Sequence, residues 1–132
     1  MVKVIIDSNF FFVPFRFKID IFEQLDRLFG KSRPVVLSTT IEELQQLTAK
    51  GPPKMRKQAQ AAFEYTQKCV TAKVEKGSSE SYDDVILRKA KDWNCPVATN
   101  DANLRERLRE ARVTVVFVRK KSHLVVDGKS FQ

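Results

Sequence analysis

Short apolar runs along the chain alternate with segments whose apolar residues recur at helical spacing. The apolar runs are typical of buried strands and cover residues 2–6, 34–38, 95–99 and 113–118, while residues 70–75 fit a short edge strand. The helical spacing predicts helices over residues 19–29, 39–49, 55–68, 82–93 and 102–111. Strands that alternate with helices indicate an α/β fold with a mainly parallel sheet. The 132 residues contain no repeat and no long linker, so we expect one domain.

Acidic residues lie where these strands end. Asp7 ends the first apolar run, a glutamate pair at 42–43 follows the second strand, and Asp101 follows the strand at 95–99. An aspartate pair at 83–84 begins the next-to-last helix. The carboxyl ends of parallel strands meet at one edge of the sheet, which is where ligands bind in open α/β folds. We therefore expect carboxylates from four segments at this edge.

Helical geometry distinguishes the members of each acidic pair. At 100° per residue, Glu43 lies about 100° from the centre of the apolar stripe of its helix, and Glu42 lies about 160° away. Asp83 lies within its stripe, roughly 45° from the centre, whereas Asp84 points about 145° away. Glu43 and Asp83 are therefore expected at the margin of the core. Whether Glu42 or Asp84 also contributes to a site stays open.

Each acid also has a purely structural interpretation. Asp101 can cap a helix, Glu43 and Asp83 can stabilise positive helix N-termini, and Asp7 can accept hydrogen bonds from loop amides. However, four carboxylates at one edge repel one another unless cations intervene. Ligand sets made only of oxygen favour Mg²⁺ or Mn²⁺ over zinc.

The charge of the chain contrasts with this acidic edge. The formal net charge is +8, which indicates a polyanionic partner such as a nucleic acid. An acidic pocket on a basic chain predicts hydrolysis of phosphodiesters by a metal-activated water, in which the metal neutralises the scissile phosphate. One or two ions would serve this chemistry.

Other chemistries lack the residues that they need. His123 is the only histidine, so a ribonuclease mechanism with a histidine acid and base is excluded, and no glycine-rich phosphate loop occurs. Cys69 and Cys95 lack the spacing of a zinc site and are expected to be buried free thiols. No apolar run reaches the roughly 18–20 residues that cross a bilayer, and the N-terminus lacks a signal peptide. We expect a cytoplasmic protein with no membrane partner.

Four motifs follow one another along the chain: DSN at 7–9, EL at 43–44, DDVI at 83–86 and TND at 99–101. In this order they resemble the motifs of the PIN-domain nucleases. The resemblance covers residues 1–118 and implies a three-layer α/β/α sandwich with a mainly parallel central sheet. Residues 119–132 are expected to form a basic C-terminal extension of the same domain.

The resemblance also implies roles for individual residues. By analogy with the family, Mg²⁺ or Mn²⁺ would be held by the catalytic carboxylates of Asp7, Glu43, Asp83 and Asp101. Asn9 and Thr99 would support these ligands from behind. The family members cut RNA, and the C-terminal half of the chain is most similar to the branch that processes small-subunit ribosomal RNA and to its archaeal relatives.

These similarities predict an endoribonuclease that acts on a ribosomal precursor RNA. A PIN toxin of a toxin–antitoxin pair, with its protein inhibitor, and a noncatalytic RNA-binding scaffold are the alternatives. A phospho-acceptor receiver domain also carries acids at strand ends, but it does not account for the basic charge. A homodimer is implied by resemblance alone.

Aromatic and basic residues surround the first motif. Six of the ten phenylalanines lie between residues 10 and 22, and we expect most of them to pack on the core or a second subunit rather than stack on RNA bases. The candidates for contact with RNA phosphates are Arg16, Lys18, Lys54, Arg56, Lys57 and Arg105.

Overall fold

A six-stranded sheet lies at the centre of the computed structural model, which describes residues 1–128. In chain order the strands are β1 (Val2–Ile6), β2 (Ser32–Leu37), β3 (Val70–Ala72), β4 (Val97–Ala98), β5 (Val115–Arg119) and β6 (His123–Asp127). Their spatial order is β3-β2-β1-β4-β5-β6. Strands β1 to β5 are parallel, whereas β6 is antiparallel to β5. The carboxyl ends of β1 to β5 therefore meet at one edge of the sheet, which we call the carboxyl edge.

Helices cover both faces of this sheet. In the described part of the chain they are α1 (Val13–Phe17), α2 (Ile21–Phe29), α3 (Ser38–Lys50), α4 (Pro53–Tyr65), α5 (Tyr82–Trp93) and α6 (Ala102–Glu110). Side chains of β1 alternate between the two faces: Val4 and Ile6 pack with α1 to α4, and Ile5 packs with α5 and α6. The predicted α/β/α sandwich with a mainly parallel sheet is confirmed.

Local side-chain chemistry sets the helix ends. Helix α2 begins two residues later than predicted because the carboxylate of Asp20 accepts a hydrogen bond from the backbone N–H of Glu23 at 3.1 Å and caps the helix. Helix α4 begins two residues earlier than predicted, since Pro53 suits the first turn of a helix. No helix within residues 1–128 has the length and apolar content needed to cross a membrane.

Two segments are absent from the sequence-based prediction. A 3₁₀ turn at Ser8–Phe12 continues into α1, and β6 closes the sheet beside β5. The 123–127 segment, with its apolar patch at 124–126, is a strand because it pairs with β5, and Leu124 is buried with its backbone N–H donating to Oε1 of Gln24 on α2 at 2.8 Å. Part of the predicted C-terminal extension therefore belongs to the sheet, while residues 129–132 lie outside the described residues.

The phenylalanines around α1 pack as predicted. Phe10, Phe11 and Phe12 are buried, and Phe15 meets the ring of Phe12 edge-on with centroids 5.7 Å apart. Phe15 also stacks on Tyr65 of α4 at 6.4 Å. The preference for packing over RNA stacking is thus confirmed for these rings.

Both cysteines are free thiols, as predicted, and Cys95 is buried, whereas Cys69 is only half-buried. Burial raises the pKa of Cys69 to about 12 and that of Cys95 to about 11. Thiolates, the form that binds metals, are therefore disfavoured at both positions.

Candidate active site

Asp7 lies at the carboxyl edge, immediately after β1, and its side chain is buried. Three neutral groups donate hydrogen bonds to it. The backbone N–H of Ser8 reaches Oδ1 at 2.8 Å, and the Asn9 amide and the Thr99 hydroxyl reach Oδ2 at 3.0 and 2.7 Å. The carboxylate that interrupts the apolar start of the chain is therefore held by hydrogen bonds to neutral groups rather than by an arginine or lysine.

Burial sets the acidity of this group. Burial raises the pKa of Asp7 to about 7, the hydrogen bond from Thr99 opposes this rise, and the charges of Asp83 and Glu43 add to it. A carboxyl group with this pKa is costly to ionise in the folded protein. A cation beside it would remove that cost, because an opposite charge favours the ionised form.

Thr99 connects the ends of β1 and β4. Its hydroxyl donates to Asp7 and accepts from the Asn9 amide at 3.3 Å and from the backbone N–H of Asp101 at 3.1 Å. The side-chain oxygen of Asn9 in turn accepts from the backbone N–H of Asn100 at 3.1 Å. The two residues predicted as supports, Asn9 and Thr99, therefore both hydrogen-bond Asp7 and fix the loop that carries Asp101.

Glu43 and Asp83 are half-buried beside Asp7. Burial raises the pKa of Glu43, the Ser8 hydroxyl opposes the rise by hydrogen bonding, and the charges of Asp83 and Asp101 add to it. Burial also raises the pKa of Asp83, followed by the charge of Asp101, while Arg107 lowers it. The pKa values of Asp7 and Glu43 are thus each raised by two of the other acids, and that of Asp83 by Asp101. The structure brings Asp7, Glu43, Asp83 and Asp101 together at the carboxyl edge.

The other member of each acidic pair has a different environment. Glu42 is exposed on α3. Asp84 forms a capping box with Ser81 at the start of α5 and an ion pair with Arg107 at 2.7 Å. The backbone N–H of Ser81 and the guanidinium of Arg107 lower the pKa of Asp84. The burial difference predicted for Glu43 and Glu42 is therefore present, and Asp84 is occupied by structural contacts.

The donor set fits a hard divalent cation. Its ligand atoms would all be carboxylate oxygens, and the charge of Asp101 raises the pKa of Asp83, an effect that a cation between the two acids would offset. Within residues 1–128, no three acidic, histidine or cysteine side chains already stand in a metal-ligating arrangement. Side-chain rotation would therefore accompany metal binding.

The basic residues predicted to contact RNA phosphates lie at helices α1 and α4, with one more on α6. Arg16 lies over the ring of Phe12 at 4.8 Å and donates to Gln58 of α4 at 3.2 Å. Three further candidates are exposed at the start of the same helix, namely Lys54, Arg56 and Lys57. Lys18 is exposed at the end of α1, and Arg105 lies on α6.

Ser8 and Asn100 also contribute to the site, although the sequence predicted no role for either residue. The Ser8 hydroxyl bonds Glu43, and Oδ1 of Asn100 accepts from the backbone N–H of Val118 on β5 at 2.9 Å. Both residues lie inside the DSN and TND motifs, so their position next to Asp7 and Asp101 in the sequence could have identified them as site residues.

Comparisons with known proteins agree with this geometry. A sequence model described as a PIN-like domain matches residues 4–121. Ribonuclease VapC4 of Methanocaldococcus jannaschii is 32% identical over 130 residues, which cover 97% of this chain and 98% of that protein. The solved structure of the PIN domain endonuclease Utp24 superposes with a TM-score of 0.78 at 26% identity, over 96% of this chain and 92% of that one.

A more distant structure shares the fold alone. VapBC2 from Rickettsia felis, solved with a DNA fragment from its promoter, superposes with a TM-score of 0.63 at 13% identity. The alignment covers 89% of this chain and 100% of that chain. The architecture therefore extends to proteins with little sequence in common.

Proposed function

The chain belongs to the PIN-like domain family, and on this premise we propose that it is an endoribonuclease dependent on Mg²⁺ or Mn²⁺. The observation that carries the proposal is the meeting of four carboxylates from four segments at the carboxyl edge, with raised pKa values at Asp7, Glu43 and Asp83. Similarity to a ribonuclease and to an endonuclease supports the nuclease activity.

Four residues would hold the cation, and these are Asp7, Glu43, Asp83 and Asp101. The cation would supply charge neutralisation at the scissile phosphate and activation of the attacking water. The protein's own contribution is orientation: Asn9 and Thr99 fix the carboxylate of Asp7, and Asp101 is fixed at the N-terminus of α6 by accepting from the backbone N–H of Asn103 at 2.9 Å.

The substrate is proposed to be single-stranded or structured RNA, held through its phosphates. The basic residues that support this are the exposed Arg16, Lys18, Lys54, Arg56 and Lys57 and the half-buried Arg105. Among the ion pairs formed within residues 1–128, none uses these side chains, so their charges are available to phosphates.

Two cellular roles follow from the relatives. The resemblance of the C-terminal half of the chain to the branch that processes small-subunit ribosomal RNA favours cleavage of a ribosomal precursor, and similarity to the PIN domain endonuclease Utp24 over 96% of the chain supports internal cleavage. The 32% identity to Ribonuclease VapC4 over almost the whole chain supports ribonuclease activity, and the alternative role remains that of a PIN toxin, which would have a protein inhibitor. Copurification of an inhibitor from the native cell would favour the toxin, and recovery of ribosomal precursor RNA would favour processing.

Cleavage of a labelled RNA tests the proposed chemistry. We expect Mg²⁺ or Mn²⁺ to stimulate internal cleavage and excess EDTA to stop it. Glu43→Gln should lower the rate by about 100-fold, because a cation ligand is lost, whereas the neighbouring Glu42→Gln should change it by no more than about threefold. Equal rates for the two variants, or full cleavage in EDTA, would contradict the proposal.

A further inference from the structure

Three consecutive basic residues form the tip of the β5–β6 hairpin. Arg119 ends β5 opposite His123, and Lys120 and Lys121 follow in the turn. All three side chains are exposed. We call residues 119–121 the hairpin tip.

The hairpin tip lies at the same edge of the sheet as the carboxylates. Strand β5 is parallel to β4, and β4 is parallel to β1, so β5 lies two strand spacings, about 10 Å, from the strand that carries Asp7. Two hydrogen bonds of 2.9 Å fix β5 to the TND loop. The backbone N–H of Thr99 donates to the carbonyl of Val116, and the backbone N–H of Val118 donates to Oδ1 of Asn100. The position of the tip relative to the site is therefore set by the fold.

The backbone of the turn does not favour lysine. Lys120 and Lys121 have φ values of 55° and 57°, which place both residues in the left-handed region. A β-carbon disfavours this conformation, and glycine or asparagine adopts it at the lowest cost. Two successive lysines at such positions make the turn less stable than glycine or asparagine would. Their presence is therefore explained by the positive charges that they add at the tip.

The charges near the tip are not neutralised by the protein. Within residues 1–128, no ion pair involves Arg105 or any residue of the hairpin tip. The guanidinium groups of Arg105 and Arg119 lie 3.8 and 5.8 Å from the centre of the same Phe117 ring, and Nε of Arg105 is buried without a hydrogen-bond partner. Arg105 is one turn after Asp101 on α6. Four cations thus extend from the carboxylate site to the tip.

We propose that the hairpin tip, together with Arg105, binds RNA phosphates that neighbour the scissile phosphate on the same strand. This inference rests on the proposed nuclease function. RNA is the partner that the position favours, because a strand cut at the carboxylates must cross this edge. The carboxylates repel its phosphates, and the flanking cations offset that repulsion.

A charge-matched pair of double variants tests the proposal. Lys120→Asn/Lys121→Gly removes both tip charges and supplies residues that suit the turn. Lys31→Gln/Lys91→Gln removes two exposed charges from the opposite edge, next to the starts of β2 and β4. The probe is a fluorescein-labelled, single-stranded RNA of twenty nucleotides, and its anisotropy is followed in EDTA at several salt concentrations so that no cleavage occurs.

The tip variant should bind the RNA about tenfold more weakly than the wild type at moderate salt. Its slope of log affinity against log salt should fall by about 1.4, since each phosphate contact contributes about 0.7 on a single strand. Its melting temperature should not decrease. The control variant should keep most of the affinity and slope. Wild-type affinity in the tip variant, or equal losses in both variants, would overturn the proposal.

Two further measurements distinguish RNA binding by the tip from binding of any acidic chain, and distinguish failure of this inference from failure of the nuclease function. If polyglutamate displaced the RNA as well as unlabelled RNA of equal charge does, the tip would bind acidic chains in general and the RNA assignment would be overturned. Wild-type RNA affinity in the tip variant, together with the loss of cleavage in Glu43→Gln, would leave the nuclease function standing without the tip. Loss of RNA affinity in the tip variant without any metal-stimulated cleavage by the wild type would support the tip and remove the nuclease.

Discussion

Replacement of Asp7 by asparagine is expected to lower the rate of metal-stimulated RNA cleavage about 10³-fold. Asp7 is the most deeply buried of the four acids at 2% exposure, and it receives three hydrogen bonds that fix its orientation. Loss of its charge removes a ligand from the proposed cation site, and a bound cation supplies several kcal/mol of stabilisation to the transition state.

The size and shape of the side chain are nearly unchanged in this variant, so the fold is expected to survive. Asp92→Asn is a matched control, because Asp92 is exposed on α5 and its nearest cationic partner, Lys89, is 4.0 Å away. Single-turnover cleavage of a labelled RNA, with circular dichroism of both variants, measures the effect. Cleavage by Asp7→Asn at the rate of Asp92→Asn would remove Asp7 from the active site.

The stability of the metal-free protein is expected to increase as the pH falls from about 8 to about 5. The pKa of Asp7 is about 7 in the folded chain against an ordinary 3.8, so the folded state binds a proton that the unfolded state lacks between these values. A lower pH therefore favours folding across this range. Each pKa unit corresponds to about 1.4 kcal/mol, which sets an upper limit of about 4 kcal/mol for this group.

Urea unfolding in EDTA at pH 5, 6, 7 and 8 measures this dependence. Asp7→Asn should reduce the slope, and its largest gain over the wild type should occur at pH 8. This gain in the free energy of unfolding is partly offset, because the new amide N–H₂ at residue 7 would face the Asn9 N–H₂, and two donors cannot hydrogen-bond each other. Raised pKa values at Glu43 and Asp83 leave part of the slope in place. A wild-type stability that is constant or falls between pH 8 and pH 5 would contradict this prediction.

The carboxylate site reduces the stability of the metal-free protein and is maintained in spite of that cost. Burying Asp7 among other acids destabilises the metal-free chain, and the same burial prepares a set of oxygen ligands for a cation. A structural interpretation of Asp7 as a loop-bonding residue explains the contact with Ser8 but not the approach of Glu43 and Asp83.

The sequence predicted the parts of the site that depend on local geometry. A helix turns by a fixed angle per residue, so the half-buried position of Glu43 and the exposed position of Glu42 followed from the apolar residues around them. The parallel sheet followed in the same way from strands alternating with helices. Both inferences need only the spacing of apolar residues within a short segment.

Contacts between distant segments were beyond the reach of such patterns. The bond from Thr99 to Asp7 depends on the register of β1 against β4, in which Ile6 pairs with Ala98. Strand β6 pairs with β5 and contacts α2, and its apolar run of three residues, at 124–126, is too short to predict a strand without these partners. The capture of Asp84 by Arg107 likewise joins two helices that only the folded chain brings together.

Calorimetric titration of Mn²⁺ into the metal-free protein tests the shared cation site most directly. Asp83→Asn and Asp84→Asn are neighbours on α5 with equal changes in charge, but only Asp83 faces the other carboxylates. Asp83→Asn should weaken Mn²⁺ binding at least about tenfold, and Asp84→Asn should leave it within about threefold of the wild type. Equal affinities for the wild type and Asp83→Asn, or no heat of binding in the wild type, would show that these acids do not hold a divalent ion together.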